Sequence, residues 1–435
     1  MMKQCDFLIQ DTYVLKQYDC LEKHQDIAVT DGKITEVGGN LSQKYKAGQV
    51  LDGRNKLFMP GLVDSHMHTG QQLLKGLVLD AKPIIWTRVM LPFESTLTPE
   101  KMKLSAEVAA LEMIKSGTAG FIDAGSYFMD AAAAVYEKSG LRGAISYSTM
   151  DEDGLPASIA MDAKDAVQHT DDLFDAFHGK GNLKVYYSLR ALNSCSNELV
   201  LLAAERAKER GTMLQAHMNE YQGEIDGIVK REGMRPYAYL EKMQVLDSNF
   251  LGAHSLLLSE EEKQLISQHE IKICHCPFSN CGKAVPETPE LLERDIVPGM
   301  GTDGAAHGGL SLWNEMKIFR SVMNIYHGVP NRNPKVMPAE NIFRMVLEGG
   351  AAALNEKDSL GRVQEGYQAD LISINLDQPH LTPSGNLLHT LFECVNANDV
   401  SDMFVNGKLI MKDREVLTMD EERILYDAKK YQESL

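Results

Sequence analysis

The sequence predicts an α/β protein made of a (β/α)8 TIM-type barrel and a small β-sandwich domain that both termini build together. Between about residues 60 and 361, short apolar strand patterns alternate with helical patterns, whereas both ends of the chain are rich in strands. Such alternation is typical of parallel strands with helices packed outside them. Eight strand and helix units in about 300 residues match a closed barrel.

The barrel prediction depends on eight short apolar segments that recur through the middle of the chain. These candidate strands are Gly61–His66, Gly120–Ala124, Arg142–Ser148, Lys184–Leu189, Met213–His217, Phe250–His254, Lys272–His275 and Ile296–Thr302. Helical stretches lie between or after them, at Pro99–Ser116, Asn197–Glu209, Ser259–Gln268 and Trp313–Asn324. In such a barrel the carboxyl ends of the strands form the active-site face.

The two ends of the chain share hairpin patterns. Asp31-Gly32 separates two strand-like runs near the start, and Asn406-Gly407 does the same near the end, each as a two-residue turn. Ala369–Leu376 is a further strand, and a short amphipathic helix is expected from Asp420 onward. We therefore expect the first part of the β domain at residues 1–58, the barrel at 59–362, and the rest of the β domain with the terminal helix at 363–435.

Composition favours a soluble, cytoplasmic protein that binds a small molecule. The chain has 435 residues, a formal net charge of −17 and seven cysteines scattered from Cys5 to Cys394. Nucleic-acid binding needs a basic surface, so no nucleic-acid partner is expected, and scattered cysteines in odd number favour a reducing compartment. The first residues do not resemble a signal peptide, and no apolar run is long enough to span a bilayer, so we expect no membrane partner.

The best local signal is Asp64-Ser-His66-Met-His68, which follows an apolar run. Side chains alternate along a strand, so His66 and His68 point the same way, into the mouth of the barrel. Two imidazoles so placed can share one metal ion. Taken alone, a polar strand end with two histidines explains the segment equally well.

Three further strand ends favour the metal. Strand five ends in His217, strand six ends in His254, and Asp303 follows strand eight. Because these ends meet at one face of a barrel, their polar side chains are expected to lie together. Neutral imidazole with a carboxylate is a good ligand set for zinc or iron, with one position left open for water.

Six segments of the chain form a joint pattern. They are Pro60-Gly-Leu-Val-Asp-Ser-His66-Met-His68, His217-Met-Asn-Glu220, His254, His275-Cys-Pro-Phe-Ser279-Asn280, Gly301-Thr-Asp303-Gly304 and Glu365-Gly-Tyr-Gln-Ala-Asp370-Leu. This pattern resembles the amidohydrolase superfamily, and more closely its deaminase and chlorohydrolase branch. That branch includes methylthioadenosine/S-adenosylhomocysteine deaminases, guanine deaminases and triazine hydrolases. The resemblance covers nearly the whole chain.

The resemblance implies a role for each matched residue. The implied metal ligands are His66, His68, His217 and Asp303. Glu220 matches the proton shuttle of the branch, and His254 matches the histidine that orients the metal-bound water. Asp303 would also accept a proton from that water. For Glu220 alone a solvated loop acid is the simpler explanation, and for His254 alone a satisfied core histidine is. The joint pattern reverses both judgements.

We expect one divalent metal per chain, with zinc favoured and Fe2+ as the alternative. Two-metal relatives usually bridge their metals with a modified lysine at the end of strand four, where this chain has Arg190, which stays protonated. Cys274, Cys276 and Cys281 offer a thiolate site as a further alternative, although packing at a strand end explains these cysteines more simply.

Trp86, Glu94, Arg190 and His307 are candidate substrate contacts. In the adenosine-type deaminases of this branch, a tryptophan and a glutamate after strand one contact the nucleoside, and Trp86 and Glu94 lie in that connection. Arg190 stands where the branch usually has a histidine, and His307 where it tends to have Ser-Asn. Arg190 would bind a carbonyl or carboxylate of the substrate, or else form a salt bridge between barrel loops.

The expected function is hydrolytic deamination of an aminated heterocycle: a purine base, an adenosine-type nucleoside such as methylthioadenosine or S-adenosylhomocysteine, a pterin or a triazine. Metal-bound hydroxide would attack the amine-bearing carbon, and Glu220 would protonate the leaving ammonia. One alternative is the same site displacing chloride or an alkylamine from a triazine-like ring. Another is a non-catalytic scaffold barrel. Because relatives often form dimers and larger assemblies, a homo-oligomer is an open alternative to a monomer.

Overall fold

The computed structural model describes residues 2–82, 84–152 and 154–435. Its strands are β1 (Lys3–Gln17), β2 (Cys20–Thr30), β3 (Lys33–Gly38), β4 (Tyr45–Asp52), β5 (Lys56–Pro60), β6 (Leu62–His68), β7 (Thr118–Asp123), β8 (Arg142–Ile145), β9 (Leu183–Val185), β10 (Tyr187–Leu189), β11 (Leu214–Met218), β12 (Phe250–His254), β13 (Lys272–His275), β14 (Gly299–Met300), β15 (Asp303–Gly304), β16 (Leu371–Asn375), β17 (Val400–Val405), β18 (Lys408–Lys412) and β19 (Glu415–Val416).

The α-helices lie mostly between the central strands. They are α1 (Leu91–Glu94), α2 (Pro99–Ser116), α3 (Met129–Ser139), α4 (Ala163–Phe177), α5 (Asn197–Glu209), α6 (Gln222–Glu232), α7 (Pro236–Lys242), α8 (Glu260–Gln268), α9 (Pro277–Asn280), α10 (Thr288–Glu293), α11 (Leu312–Met323), α12 (Ala339–Arg344), α13 (Gly350–Ala353), α14 (Leu387–Cys394) and α15 (Glu421–Gln432). No helix in the described part of the chain has both the length and the apolar character needed to cross a bilayer.

The strands of both chain ends form one sheet. Its order is β19-β18-β17-β16-β5-β1-β2-β3, and β4 pairs with the long strand β1. The two predicted hairpins are confirmed: β2 pairs with β3, and β17 pairs with β18, both antiparallel. At each turn both residues have positive φ, 49° and 79° at Asp31-Gly32 and 49° and 70° at Asn406-Gly407, as the tight turn requires.

The central strands are parallel and form two sheets. One has the order β15-β6-β7-β8-β9, and the other β10-β11-β12-β13-β14. Only Tyr186 separates β9 from β10, and only Gly301 and Thr302 separate β14 from β15. The predicted α/β class with parallel strands is therefore confirmed, and all eight predicted segments contain strand.

Two predicted strands differ from expectation because the chain changes partners within them. In the fourth, the Tyr186 N–H donates to Ile145 O and the Tyr187 N–H donates to Met213 O, so pairing passes from one neighbouring strand to the other. In the eighth, pairing with β13 ends at Met300, and pairing with β6 begins at Asp303. The eighth strand therefore consists of two short parts instead of the continuous run 296–302.

Helix caps set the ends of the helices, and side-chain hydrogen bonds hold them in place. The Thr98 side chain accepts the N–H of Lys101 at the start of α2, and Gly117 ends that helix with φ 87°. The buried Trp313 of α11 donates its indole N–H to Ser116 O at 2.9 Å, which holds α11 against the end of α2. The helix predicted from Asp420 is confirmed as α15, with Asp420 capping it.

Candidate active site

The carboxyl ends of the central strands bring the sequence-predicted ligands together. His66 and His68 lie on β6, His217 on β11 and Asp303 on β15. His68 Nε2 lies 3.2 Å from His217 Nε2 and 3.3 Å from Asp303 Oδ1, and His66 Nε2 lies 3.7 Å from the same Asp303 oxygen. Donor atoms of the three histidines all fall within 4.8 Å of one another. This spacing suits one metal ion.

Burial prepares these side chains to bind a cation. Burial and neighbouring imidazoles hold the pKa of His66 and His217 well below the ordinary value, so both are neutral and have a free lone pair at neutral pH. Among the described residues, neither ring nitrogen of His66 has a hydrogen-bond partner, although the side chain is fully buried. Buried polar atoms normally have partners, so this arrangement indicates a bound ligand.

The Asp303 carboxylate is charged despite its burial. Burial alone would raise its pKa, but the hydrogen bond from His68 and the nearby charge of Lys283 overcome this and hold the pKa well below its usual range. The Ser279 hydroxyl donates to Asp303 Oδ2 at 2.6 Å and fixes the second oxygen. Oδ1 therefore faces His66 and His68 as an ionised donor atom.

Glu220 and His254 lie on the other side of Asp303. His254 Nε2 is 3.5 Å from Glu220 Oε1. An amide N–H of Asn280 donates to His254 Nδ1 at 3.0 Å, and burial holds the pKa of His254 well below its ordinary value. The single proton of the neutral ring therefore lies on Nε2, the atom that faces Glu220.

Lys283 is a site residue that sequence reasoning missed. Its Nζ forms an ion pair with Glu220 Oε1, donates to Ser279 Oγ at 2.7 Å and lies 3.7 Å from Asp303 Oδ2. Burial would lower the pKa of Lys283, but the charges of Glu220 and Asp303 outweigh burial and raise it. The available signal was its position four residues after Ser279, in the segment that follows β13.

The predicted substrate contacts Trp86, Glu94 and Arg190 form one cluster next to His68. The Arg190 guanidinium carbon lies 5.6 Å from the centre of the Trp86 ring, and Nη2 lies 3.5 Å from Glu94 Oε1. Nη1 of Arg190 is 3.2 Å from His68 Nδ1. Gln71, which was not predicted, donates to Glu94 Oε1 at 2.7 Å.

His307, the fourth predicted substrate contact, lies on the segment that follows Asp303. It is half-buried in the short turn after Asp303, and burial lowers its pKa. The charges of Asp303, Lys283, Glu220 and His68 also act on its ring, so His307 lies close to the ligand cluster.

Backbone geometry at the strand ends is unusual. Asn219, His254, Ser255 and Asp303 all have positive φ, between 45° and 67°. Left-handed backbone is costly for residues other than glycine and persists where the surroundings enforce it, often at functional sites. Three of the site strands thus turn sharply just where their polar side chains emerge.

Asp64 joins the two strands that carry ligands. Its carboxylate accepts the His66 N–H at 3.2 Å, the Thr302 N–H at 3.1 Å and the Thr302 hydroxyl at 2.6 Å. Burial raises the pKa of Asp64 to about 7. These contacts fix β6 against the segment that leads into Asp303.

The alternative thiolate site has weaker support. Cys276 Sγ lies within 4.8 Å of donor atoms of His66 and His254, but Cys281 is exposed. Burial raises the pKa of Cys276 well above its ordinary value, so the thiol keeps its proton and is a poorer ligand than the imidazoles.

Comparisons with known proteins identify the family of the chain. Residues 57–410 match the sequence profile of the amidohydrolase family. The chain is 34% identical over 94% of its length to a 5-methylthioadenosine/S-adenosylhomocysteine deaminase of Thermococcus onnurineus, covering 95% of that protein. It is 31% identical to a 5'-deoxyadenosine deaminase of Methanosphaera stadtmanae, with 99% of each chain covered. An adenosine deaminase of Xanthomonas campestris, solved with bound zinc, shares the fold with a TM-score of 0.93 at 23% identity, over 100% of this chain and 99% of that one.

Proposed function

The chain belongs to the amidohydrolase family, and from that membership and its site we propose that it is a metal-dependent deaminase that releases ammonia from an aminated heterocycle. It is then a hydrolase of carbon–nitrogen bonds other than peptide bonds. The observation that carries the proposal is the buried cluster of His66, His68, His217 and Asp303 beside the Glu220–His254 pair. Relatives over nearly the whole chain are named as deaminases of adenosine-type nucleosides, which supports such a nucleoside as the substrate class.

The donor set fits one divalent metal, and we propose zinc. Neither ring nitrogen of His66 has a hydrogen-bond partner in the described part of the chain, and His68 Nε2 closely approaches His217 Nε2, an arrangement that suits a cation between them. Imidazole and carboxylate together are zinc ligands, and the protonated Arg190 at the end of strand four argues against a second metal. A divalent metal bound there would supply Lewis-acid chemistry and make hydroxide available near neutral pH.

The remaining residues of the site transfer protons, orient the attacking water or hold the residues that do so. In the reaction, a water oxygen bonds to the ring carbon, the carbon–nitrogen bond breaks, and ammonia leaves. Glu220 takes one proton from water and gives it to the ring nitrogen. The second proton, from the hydroxyl then bonded to the ring carbon, passes through Asp303 or Glu220 to the amine, which leaves as ammonia. His254 holds its proton on Nε2 and orients the attacking oxygen. Lys283 fixes Glu220 Oε1, so the carboxylate stays in place between these transfers.

The architecture that supports this site is also proposed in finer detail. We propose that the two parallel sheets close into one (β/α)8 barrel, because each sheet ends on a strand that the other continues. Apolar residues of β1, β2, β3, β5, β16 and β17 pack together, which supports a small β-sandwich domain built from both termini. The proposed bounds are 1–58 and 363–435 for that domain and 59–362 for the barrel. We also propose a cytoplasmic location, which the net charge and the scattered cysteines of the chain support.

The test is the Glu220→Gln variant, assayed for ammonia release and for bound metal. The substrates screened are 5′-deoxyadenosine, methylthioadenosine, adenosine, guanine, a pterin, an aminated triazine and a chlorinated triazine. We expect wild-type protein with about one zinc per chain to release ammonia from a nucleoside, and the variant to keep zinc and lose at least about a hundredfold in turnover. The exposed Glu209→Gln variant is the matched control. Full activity of Glu220→Gln, or release of chloride alone from a chlorinated ring, would contradict the proposal.

A further inference from the structure

A cavity of about 470 Å³ lies beside the candidate active site and shares the wall residue Glu94 with it. The metal-binding histidines do not line this cavity. Its volume falls in the range of small-molecule sites. Arg190 connects the cavity wall to the metal-binding cluster. Its Nη2 lies 3.5 Å from Glu94 Oε1, and its Nη1 lies 3.2 Å from His68 Nδ1. A substrate with its ring at the metal and its remainder beyond Glu94 would extend into the cavity.

One side of the cavity is aromatic. Tyr127 and Tyr147 meet edge to face, with ring centres 5.8 Å apart, and His169 stacks on Tyr147 at 4.6 Å and 15°. Met161 and Ile159 extend this surface. Aromatic faces bind apolar groups and are also attracted to cations, so this wall accepts a hydrophobic group that carries a positive charge.

The facing helix is acidic. Asp165, His169 and Asp172 follow each other at spacings of four and three residues along α4, and all three line the cavity. Asp165, Asp172 and Glu94 thus provide three carboxylates in the cavity wall. No lysine or arginine occurs among the described residues that line it. The cavity therefore has no cationic partner for a carboxylate and attracts the opposite charge.

An unpartnered buried atom points to a ligand here. Glu94 is 2% exposed, and while its Oε1 accepts from Gln71, its Oε2 has no hydrogen-bond partner among the described residues. A buried carboxylate oxygen normally has a donor, and the cavity is the open space beside it. A donor group of a bound molecule would satisfy Glu94 Oε2 at the boundary between ring and substituent.

We propose that this cavity binds the 5′ substituent of the substrate and selects a substituent that ends in a cation, such as an ammonium or sulfonium group, against one that ends in a carboxylate. This inference rests on the proposed deamination of an adenosine-type nucleoside. It narrows the substrate class to nucleosides with a neutral or cationic 5′ extension. Asp165 and Asp172 supply the charge, and the tyrosine wall contacts the carbon chain.

The experiment compares three 5′-thio-5′-deoxyadenosines of similar size: 2-aminoethyl, propyl and carboxymethyl. We measure kcat/KM for ammonia release by the zinc-loaded enzyme. Exposed ion pairs are individually weak, so the expected preference is about threefold for the ammonium over the propyl compound and about tenfold over the carboxylate. Equal efficiencies, or a preference for the carboxylate, would overturn the inference while leaving deamination intact. No ammonia from any of the three by an enzyme that deaminates 5′-deoxyadenosine would also overturn the inference, whereas no ammonia from 5′-deoxyadenosine and adenosine either would overturn the nucleoside proposal itself.

Variants of α4 separate charge from general effects. The double variant Asp165→Asn/Asp172→Asn should bring the ratio of ammonium to propyl efficiency close to one. Asp175→Asn is the control, because Asp175 lies on the same helix, pairs with Arg210 and does not line the cavity. An unchanged ratio in the double variant would overturn the assignment of this cavity.

Discussion

The guanidinium of Arg190 lies 3.2 Å from Nδ1 of His68, which is a candidate metal ligand. Arginine only donates hydrogen bonds, so Nδ1 must accept in this arrangement. A histidine that binds a metal through Nε2 normally donates its Nδ1–H to a carboxylate or carbonyl. We therefore expect Arg190 to weaken metal binding at His68, both as a donor and as a nearby positive charge.

We expect Arg190→Gln to bind zinc about tenfold more tightly than the wild type, because the amide oxygen accepts the Nδ1–H of His68 and the charge is removed. Competition with a chromophoric chelator measures this affinity. Arg190→Lys keeps the charge and serves as the control, with affinity close to wild type. Zinc binding that is unchanged or weaker in Arg190→Gln would contradict this reading of the contact.

Lys283 is expected to act as a positioning residue for Glu220. Lys283→Met removes the ion pair to Glu220 Oε1 and should lower kcat about a hundredfold with a much smaller change in KM, because Glu220 loses its fixed orientation. Lys283→Arg should restore part of kcat. Zinc content should stay at wild-type level in both variants.

Lys263→Met is the control for that prediction. Lys263 also pairs with two glutamates, Glu287 and Glu290, but its ion pairs lie outside the metal-binding cluster. This variant tests whether losing a buried lysine with two acidic partners lowers kcat merely because the protein becomes less stable. A drop in kcat as large as that of Lys283→Met would refute the positioning role.

Glu224 gives a prediction about pH and stability. Its carboxylate is buried and accepts the Glu220 N–H at 2.9 Å, and burial, together with the charge of Glu220, raises its pKa to about 8 from an ordinary 4.5. The folded state therefore holds this proton more tightly than the unfolded state. Stability from Glu224 is present at low pH and is lost as pH rises from about 5 to about 8.

We expect Glu224→Gln to remove that loss. Relative to wild type, the variant should gain up to about 1.4 kcal/mol in free energy of unfolding for each pH unit across this window. Urea unfolding at several pH values measures the difference. The same change at the exposed Glu261 is the control. A difference that does not vary with pH would show that Glu224 is ionised in the folded protein.

Sequence patterns predicted those parts of the site that depend on strands. His66, His217, His254 and Asp303 stand where apolar runs stop, and parallel strands necessarily bring such ends to one face. Lys283 could not be predicted in this way, because it reaches Glu220 from a loop and the contact depends on how that loop folds back. The roles of these residues remain predictions.

The eighth strand illustrates a second limit of sequence reasoning. Its pattern predicts a continuous run, but the chain changes partners at Gly301, which packs against the backbone of His66. A Cβ at residue 301 would lie 2.6 Å from His66 O, 2.8 Å from its N and 2.9 Å from its Cβ. Single-sequence patterns carry no information about such contacts between strands distant in sequence.

Gly301 therefore supplies the last prediction. In Gly301→Ala the two strands that carry His66 and Asp303 must separate, since the three nearest atoms are the backbone O and N of His66 and its Cβ. We expect a loss of about 1–3 kcal/mol in free energy of unfolding and zinc binding weakened at least about tenfold, because the ligand spacing widens. Gly282→Ala is the matched control: no described heavy atom lies within 4 Å of its added Cβ. Urea unfolding measures the change in stability, and chelator competition measures the change in zinc affinity. If Gly301→Ala matched the control in both stability and zinc affinity, β6 and β15 would tolerate a wider separation than the ligand cluster implies.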